Sequence, residues 1–313
     1  MKPITYIIVF VLLAFTGCIK TLTDDLKAKE TKLVLNSVIN PDSSLLVNIS
    51  RTFNIFDDES TDNLPFVDDA SIGLYENGNF LFNLDAIGNG YYNKPDFSPS
   101  YGNEYKLTAT APSFKDVESK VSFPKKVSIK EFDTVTVYYS DEYNNSKTLM
   151  GIIKYKDPIG ERNYYQLNCR VLAPYGPDGE MIWRDQGVWV EENNQIFFDN
   201  SFGNILWNDK YTDGKEVSFR FGFYSIYNNY KKSHIENDTI RFVFSLQSID
   251  EDYYLYLKTL HLYYESGGGD DPFMEPIVIH SNIENGYGIF GSYQQDTASF
   301  YYTTQIEGYG GGK

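Results

Sequence analysis

The chain has 313 residues, a formal net charge of -16 at pH 7 and an aromatic content of 17%, with 27 Tyr and 22 Phe. The negative charge repels a phosphate backbone, so nucleic acid is excluded as an expected partner. Aromatic side chains suit pleated, half-buried surfaces, so the composition predicts a mainly β fold, and the length allows two domains with full hydrophobic cores.

Residues 1–17 predict a lipoprotein signal peptide. An apolar run covers residues 4–15, and Gly17 stands directly before Cys18. The run is too short to cross a hydrocarbon core of ~30 Å as a helix, and it is typical of a secretory signal. We expect cleavage before Cys18 and lipidation of its thiol and of the new amino terminus, which leaves residues 18–30 as the lipidated N-terminus and tether.

Residues 31–124 predict an immunoglobulin-like β-sandwich. Short alternating segments are separated by turn residues, and the dipeptide Asn77-Gly78 between two of them favours a type I′ hairpin. Several short strands at this spacing are typical of a sandwich. The strands are predicted at residues 33–40, 45–50, 71–76, 79–82, 104–111 and 117–121.

Residues 125–313 predict a second, larger β-rich domain that carries one amphipathic helix near residues 249–265. Ser248 and Glu251 have the spacing of the N-cap and N3 residues of a capping box, and Gly267 would end the helix. The apolar residues that repeat on one helical face are Tyr253, Leu257, Leu260 and Tyr264. Strands are predicted at residues 135–139, 164–172, 187–190, 195–198, 217–224, 239–246 and, near the end of the chain, 277–280 and 299–303.

The second cysteine of the chain is Cys169, which lies in an alternating, strand-like stretch. Because Cys18 is committed to lipid, no disulfide can form within the mature chain. A free cysteine in such a stretch usually behaves as a small buried hydrophobe, so we expect Cys169 to be inert.

Several segments of the chain resemble a family of Bacteroidota lipoproteins known as domain of unknown function 4249. The segments that carry the resemblance are residues 33–40, 47–52, 67–74, 101–107, 253–258, 275–276 and 281–291. The resemblance implies a protein of the outer membrane, and many members are encoded beside TonB-dependent transporters. It therefore implies an accessory role in the uptake of an unknown solute. The chain departs from the surface-export signal of the phylum, because Asp24-Asp25 follow Cys18 late and behind an apolar stretch.

Residues 286–291 fit the pattern G-x-G-x-x-G, which can indicate dinucleotide binding. That chemistry requires the glycines to open a helix within a βαβ unit, whereas here a strand-like segment follows and the remaining chain is too short for the crossover. We expect the glycines to permit turns or bulges, with Asn285-Gly286 as the turn. The resemblance includes these residues in a closing signature whose role we expect to be structural: Asn282, Asn285, Gly286, Gly288, Phe290 and Gly291.

The sequence contains no motif that predicts a metal site, a cofactor or catalysis. His234, His261 and His280 are far apart, and none has ligand spacing. Residues 209–214 match part of a calcium loop, but Tyr211 and Arg220 occupy ligand positions, so a hairpin turn at Asp213-Gly214 is favoured. Acidic clusters at residues 57–59 and 270–271 remain an alternative calcium site. The motif G-x-S-x-G does not occur, so we expect a protein that is not an enzyme and has no cofactor.

The sequence contains two further features that could lie on the surface, a group of tryptophans and a glycosylation pattern. Trp183, Trp189 and Trp207 lie among Asn, Gln and Asp, and they predict either a ligand surface for a sugar or peptide or part of the β core.

The pattern of Asp followed by Thr and a small or aliphatic residue, which carries O-glycans in this phylum, occurs at Thr134, Thr239 and Thr297. Of these three threonines, Thr239 is the best placed for O-glycosylation, because it follows a polar loop.

The sequence as a whole predicts a non-enzymatic lipoprotein of the outer membrane that faces the cell exterior. Its expected partners are the membrane, a TonB-dependent transporter barrel and an unknown solute. The alternative is a structural or adhesive surface lipoprotein without a transport partner.

We expect Cys18→Ala to abolish lipidation, because the thiol of Cys18 is the acceptor for the diacylglycerol. Metabolic labelling with palmitate in the native host should give a labelled wild-type band and an unlabelled variant band. Label that enters the variant would show that the anchor lies elsewhere.

Overall fold

The computed structural model describes residues 30–53, 65–140, 145–175, 180–190, 196, 198–223, 239–267 and 277–303. Cys18, the predicted signal peptide, His234 and the acidic clusters at residues 57–59 and 270–271 lie outside these residues. The described chain is mainly β, with sheets packed as sandwiches and one helix. The predicted fold class is therefore confirmed.

The strands in chain order are β1 (Leu33–Ile39), β2 (Leu45–Arg51), β3 (Ser71–Glu76), β4 (Asn79–Asn83), β5 (Asp85–Gly88), β6 (Tyr91–Lys94), β7 (Glu104–Thr110), β8 (Val117–Ser122), β9 (Ile129–Ser140), β10 (Asn145–Lys156), β11 (Tyr164–Tyr175), β12 (Glu180–Gln186), β13 (Val188–Val190), β14 (Phe198–Ser201), β15 (Asn204–Asn208), β16 (Glu216–Phe223), β17 (Thr239–Ile249) and β18 (Tyr287–Thr303). The helix α1 spans Glu251–Glu265.

One ten-stranded sheet runs through the whole described chain, in the order β14-β15-β11-β17-β18-β1-β2-β6-β5, with β12 also paired to β11. Its key strand is β18, which has 17 residues and two different partners. Residues 287–292 pair in parallel with β1, and residues 293–303 pair antiparallel with β17. A single strand therefore joins the sheets of the two halves of the chain.

Two four-stranded sheets cover the same face of this long sheet. The sheet β4-β3-β7-β8 encloses the first core, to which β18 contributes Phe290, and the sheet β13-β16-β10-β9 encloses the second, against which Phe300 packs. Phe290 and Phe300 are separated by an even number of residues, so they point to one face of the strand. The opposite face of the long sheet is covered near β18 by α1, where Gly291 lies against Tyr253.

The first core combines strands β1 to β8 with two residues from the far end of the chain. Alternation places Leu33, Leu35 and Ile39 of β1 inside, and Ile283 and Phe290 complete the cluster. The second core is built from residues 127–246. The predicted boundary at residue 124 falls between the two cores, and the division into domains stays a prediction.

Polar side chains of β18 form hydrogen bonds with residues 122–129, the segment that connects the two cores. The hydroxyl of Ser292 donates to the Ser122 carbonyl at 2.9 Å, and the Gln294 amide donates to the Pro124 carbonyl at 2.5 Å. The carboxylate of Asp296 accepts from the Ile129 N–H at 2.8 Å. These residues alternate along the strand, so they all reach the face on which residues 122–129 run.

Local signals in the sequence account for several elements. Asn77 and Gly78 have φ values of 50° and 81°, as a type I′ turn requires, and they join β3 to β4 as predicted. The helix is also confirmed, but its N-cap is Asp250 rather than Ser248, which ends up within β17. The carboxylate of Asp250 accepts the Tyr253 N–H at 2.9 Å.

The apolar face of the helix is rotated from the predicted one. Tyr254 is the buried residue of α1, whereas Tyr264 is 59% exposed. Tyr253 and Leu257 pack as predicted against the small cluster of Tyr164, Leu206, Ile249 and Tyr254. The face is shifted because the helix packs on the face of the sheet formed by β11, β14 and β15 as well as on β18.

Several predicted strands change in the structure. The strands β5, β6, β10, β12 and β15 were not predicted, because they are short or carry Gly, Lys and Asn without a clean alternation. Residues 277–280 form no strand, and the His280 N–H instead donates to the Thr259 hydroxyl of the helix at 2.8 Å. The turn at Asp213-Gly214 exists, but it joins strands of two different sheets and is not a hairpin.

The closing signature fixes the start of β18. The side chain of Asn282 pairs with the backbone of Phe290, donating to its carbonyl at 2.8 Å and accepting its N–H at 3.0 Å. Asn285 has a φ of 58°, and its amide donates to the Asp116 carbonyl. A Cβ on Gly286 would lie 2.7 Å from the Leu33 carbonyl oxygen. The glycines open a strand rather than a helix, so the chain lacks the context for dinucleotide binding here.

We expect Gly288→Ala to cost about 3 kcal/mol or more of the free energy of unfolding. Gly288 has a φ of 109°, and a Cβ there would lie 2.0 Å from the Leu35 carbonyl oxygen across the parallel pair. Gly78→Ala is the matched control, because Gly78 also has a positive φ but nothing within 4 Å of the new Cβ. The control should lose only about 1 kcal/mol. Equal losses in chemical denaturation would contradict this account.

Candidate functional site

A groove of about 1060 Å³ lies beside α1 on the face of the ten-stranded sheet that is turned away from the two four-stranded sheets. Its floor is formed by alternate residues of β11, β17 and β18, whose other residues enter the second core. The turn between β1 and β2 lies at one end, and β12 with Trp183 lies at the other. The register of the long sheet thus places side chains distant in sequence on one surface.

Polar side chains form two rows across the groove floor. Gln247 faces Gln166 on β11 and Gln295 on β18, and its amide donates to Gln295 at 3.3 Å. The next row contains Asn168, Ser245 and Thr297. Within the described chain, the side chains of Gln166, Asn168 and Ser245 have no hydrogen-bond partner. These groups form a polar floor that is open to solvent and is not occupied by protein partners.

Two arginines and one aspartate are the charged side chains that line the groove among the described residues. Arg170 pairs with Asp185, with Nε 3.7 Å from Oδ1. Arg241 has no carboxylate partner in the described chain, and its Nε is buried without a hydrogen bond. Its guanidinium lies 6.0 Å from the Trp183 ring centroid and 5.8 Å from that of Tyr301. The rings hold Arg241 in place without neutralising it.

The helix forms one wall of the groove and is fixed to the sheet by Asp250. The Asp250 carboxylate accepts the N–H groups of Tyr253 and Ser292, and its own N–H donates to the Ser292 carbonyl at 3.1 Å. Burial raises the pKa of Asp250 to about 6, although these hydrogen bonds act in the opposite direction. Tyr293 also lines this wall, and its hydroxyl accepts the Asn40 amide at 2.9 Å.

The structure divides the three tryptophans between the two alternatives that the sequence left open, a ligand surface and the β core. Trp183 is 40% exposed and lines the groove. Trp207 is fully buried, and its indole N–H donates to the Tyr155 hydroxyl at 2.8 Å, so it belongs to the core. Trp189 packs over Gly222, where a Cβ would lie 2.0 Å from the ring. Trp189 lines no part of this groove, and only Trp183 of the three does so.

The two described histidines do not converge. His261 and His280 belong to α1 and to the segment after it, and Nε2 of His280 lies 2.8 Å from the Asp252 carboxylate. His280 therefore sits in an irregular segment rather than in the predicted strand. Cys169 is buried, and burial raises its thiol pKa to about 12, which agrees with an inert side chain.

Asp157, Asp209 and Asp213 form an acidic group whose nearest ligand atoms lie within 4.8 Å of one another. Their oxygens accept hydrogen bonds that clamp two loops together. Asp157 accepts from the Tyr165 hydroxyl at 2.5 Å and the Gly214 N–H at 2.9 Å, and Asp209 accepts from the Asn163 N–H at 2.9 Å. We interpret the group as a structural clamp that sequence reasoning missed, because Asp157 lies far from the other two in sequence.

Thr239 is the first residue of β17 and is exposed. Thr297 is exposed as well and lines the groove, whereas Thr134 is half-buried. Glycosylation of Thr239 stays a prediction, as does lipidation of Cys18.

The fold and the groove define a mainly β protein that has two cores on a shared sheet and an open polar surface. The chain belongs to the family described as domain of unknown function (DUF4249), because the family model matches residues 19–299. No curated protein shows significant sequence similarity to the chain. Within the described residues, no helix combines the length and apolar character needed to span a membrane.

We expect Asp157→Asn to gain stability relative to the wild type as the pH rises from about 4 to 7. Burial, followed by repulsion from Asp209 and Asp213, raises the pKa of Asp157 from 3.8 to about 6, so the folded protein binds its proton more tightly than the unfolded chain. The wild type therefore loses this contribution as the pH rises through about 6. The free energy of unfolding of Asp157→Asn minus that of the wild type should therefore rise by about 1–3 kcal/mol over this pH range.

Urea denaturation at several pH values measures this difference. Glu180→Gln removes an exposed carboxylate and serves as the control, whose difference from the wild type should be much smaller. A difference for Asp157→Asn that is independent of pH would show that the carboxyl is ionised throughout this range.

Proposed function

We propose that the chain is a lipid-anchored protein of the outer membrane, facing the cell exterior, that assists a TonB-dependent transporter without catalysing a reaction. In this role it captures a solute in the groove and delivers it to the transporter barrel. The observation that carries the proposal is the groove floor, where amide and hydroxyl groups without protein partners face solvent. Sites that recognise small solutes use a few such convergent polar groups.

The arrangement of the groove suits capture and release. The groove lies on one face of a sheet whose other face packs on two cores, so the floor of the groove is rigid. A solute can still reach the floor from the solvent. Binding to a preformed polar surface costs little ordering of the protein. A protein that hands its solute to a partner needs such an exposed site rather than an enclosed one.

The anchor and the family support the location. The predicted lipids on Cys18 hold the chain at a membrane, and residues 18–30 give it a short tether. The transporter partnership was inferred from the resemblance of the sequence to this family, and the family model matches residues 19–299. A transporter gene beside the gene for this chain would add independent support.

Affinity purification from the native host tests the partnership. We expect the full-length, tagged and lipidated chain, solubilised in mild detergent after chemical crosslinking, to enrich a TonB-dependent barrel detected by mass spectrometry. The same chain with Cys18→Ala is the matched control and should lose the barrel, because it leaves the membrane. Recovery without any barrel would instead support the structural or adhesive alternative.

A further inference from the structure

We infer that the groove binds an acidic oligosaccharide, a ligand that combines sugar hydroxyls with a carboxylate, and that Arg241 pairs with the carboxylate. The inference rests on the proposed function, because it takes the groove as the solute-binding surface. It adds the chemical class of the solute and the residue that selects it.

The floor of the groove carries amide and hydroxyl groups that have no partner in the described chain. Gln166, Asn168 and Ser245 have no side-chain hydrogen-bond partner in the described chain, and their polar atoms reach the solvent of the groove, where a ligand can bind them. Amides and hydroxyls both donate and accept hydrogen bonds, as sugar hydroxyls do. Two parallel rows of such groups therefore match a ligand that carries hydroxyls along its length.

The charge of the groove lining favours an anionic ligand. The protein has a net charge of -16, yet no carboxylate of the described residues pairs with Arg241. The neighbouring Arg170 is paired with Asp185, so the described lining carries one uncompensated positive charge. A guanidinium is a rigid fork that matches a carboxylate with two parallel hydrogen bonds. A ligand carboxylate would supply the missing partner.

Aromatic rings orient the two arginines of the groove. The ring of Trp183 lies 5.4 Å from the Arg170 guanidinium and 6.0 Å from that of Arg241, and Tyr301 lies on the Arg241 side as well. Aromatic rings restrict the guanidinium while leaving its N–H groups available. Trp183 is 40% exposed, so it also offers apolar surface to the faces of sugar rings.

Isothermal titration of the detergent-solubilised, lipidated full-length protein tests the inference. The probes are short oligomers of galacturonate, glucuronate and mannuronate, the neutral oligomers of the corresponding sugars, and a glutamate oligopeptide. We expect at least one oligouronate to bind more tightly than its neutral counterpart, with binding weakened by high salt. Arg241→Gln should reduce that affinity about tenfold or more and abolish the preference over the neutral oligomer.

The controls separate recognition from folding. Arg162→Gln removes an exposed arginine that pairs with Glu251 outside the groove, and it should leave the affinity unchanged. Gln166→Ala should weaken acidic and neutral oligomers alike, because it removes a hydroxyl partner and not the charge. Melting temperatures establish that each variant is folded.

The inference is overturned if no oligouronate binds with a Kd below about 1 mM. It is also overturned if Arg241→Gln binds as tightly as the wild type, or if the glutamate oligopeptide binds more tightly than every oligouronate, which would identify the groove as a site for acidic peptides. These measurements need no transporter, so their failure is distinguishable from a failure to recover the barrel.

Discussion

The parallel pairing of β1 with the first third of β18 is the constraint on which the rest of the structure depends. It brings the two ends of the described chain together, and it closes the first core with Ile283 and Phe290. The same strand then continues into the second half, where its register against β17 sets the rows of the groove. The close approach of Gly288 to the Leu35 carbonyl is the point at which this pairing allows no side chain.

The fold was predictable from the sequence where the signals were local. The Asn77-Gly78 turn, the alternation of β1 and β7 and the helix near residue 251 each depend on neighbouring residues. The shared strand was not predictable in this way, because the pairing of β1 with β18 joins segments at opposite ends of the chain. The N-cap was misplaced for a related reason: Asp250 is selected by its contact with Ser292, which no local pattern reveals.

The candidate site was predictable only in part. The sequence left Trp183 and Trp207 each open between a ligand surface and the β core. The two differ in the structure because their partners on β11, Leu172 and Tyr165, face opposite sides of the sheet. No sequence pattern predicted a site at Gln166, Asn168 or Arg241, because amides and arginines are common on protein surfaces. Their importance arises from a register between three strands that are distant in sequence, together with the absence of partners within the described chain.

The position of β18 also governs when the protein can fold. The first core contains the first strands of the described chain, but it stays incomplete until Phe290 and its neighbours have been synthesised. Contacts between such distant segments slow folding, because a long loop must close before they form. The early strands therefore expose unpaired edges, which are prone to aggregation, until the last strand arrives.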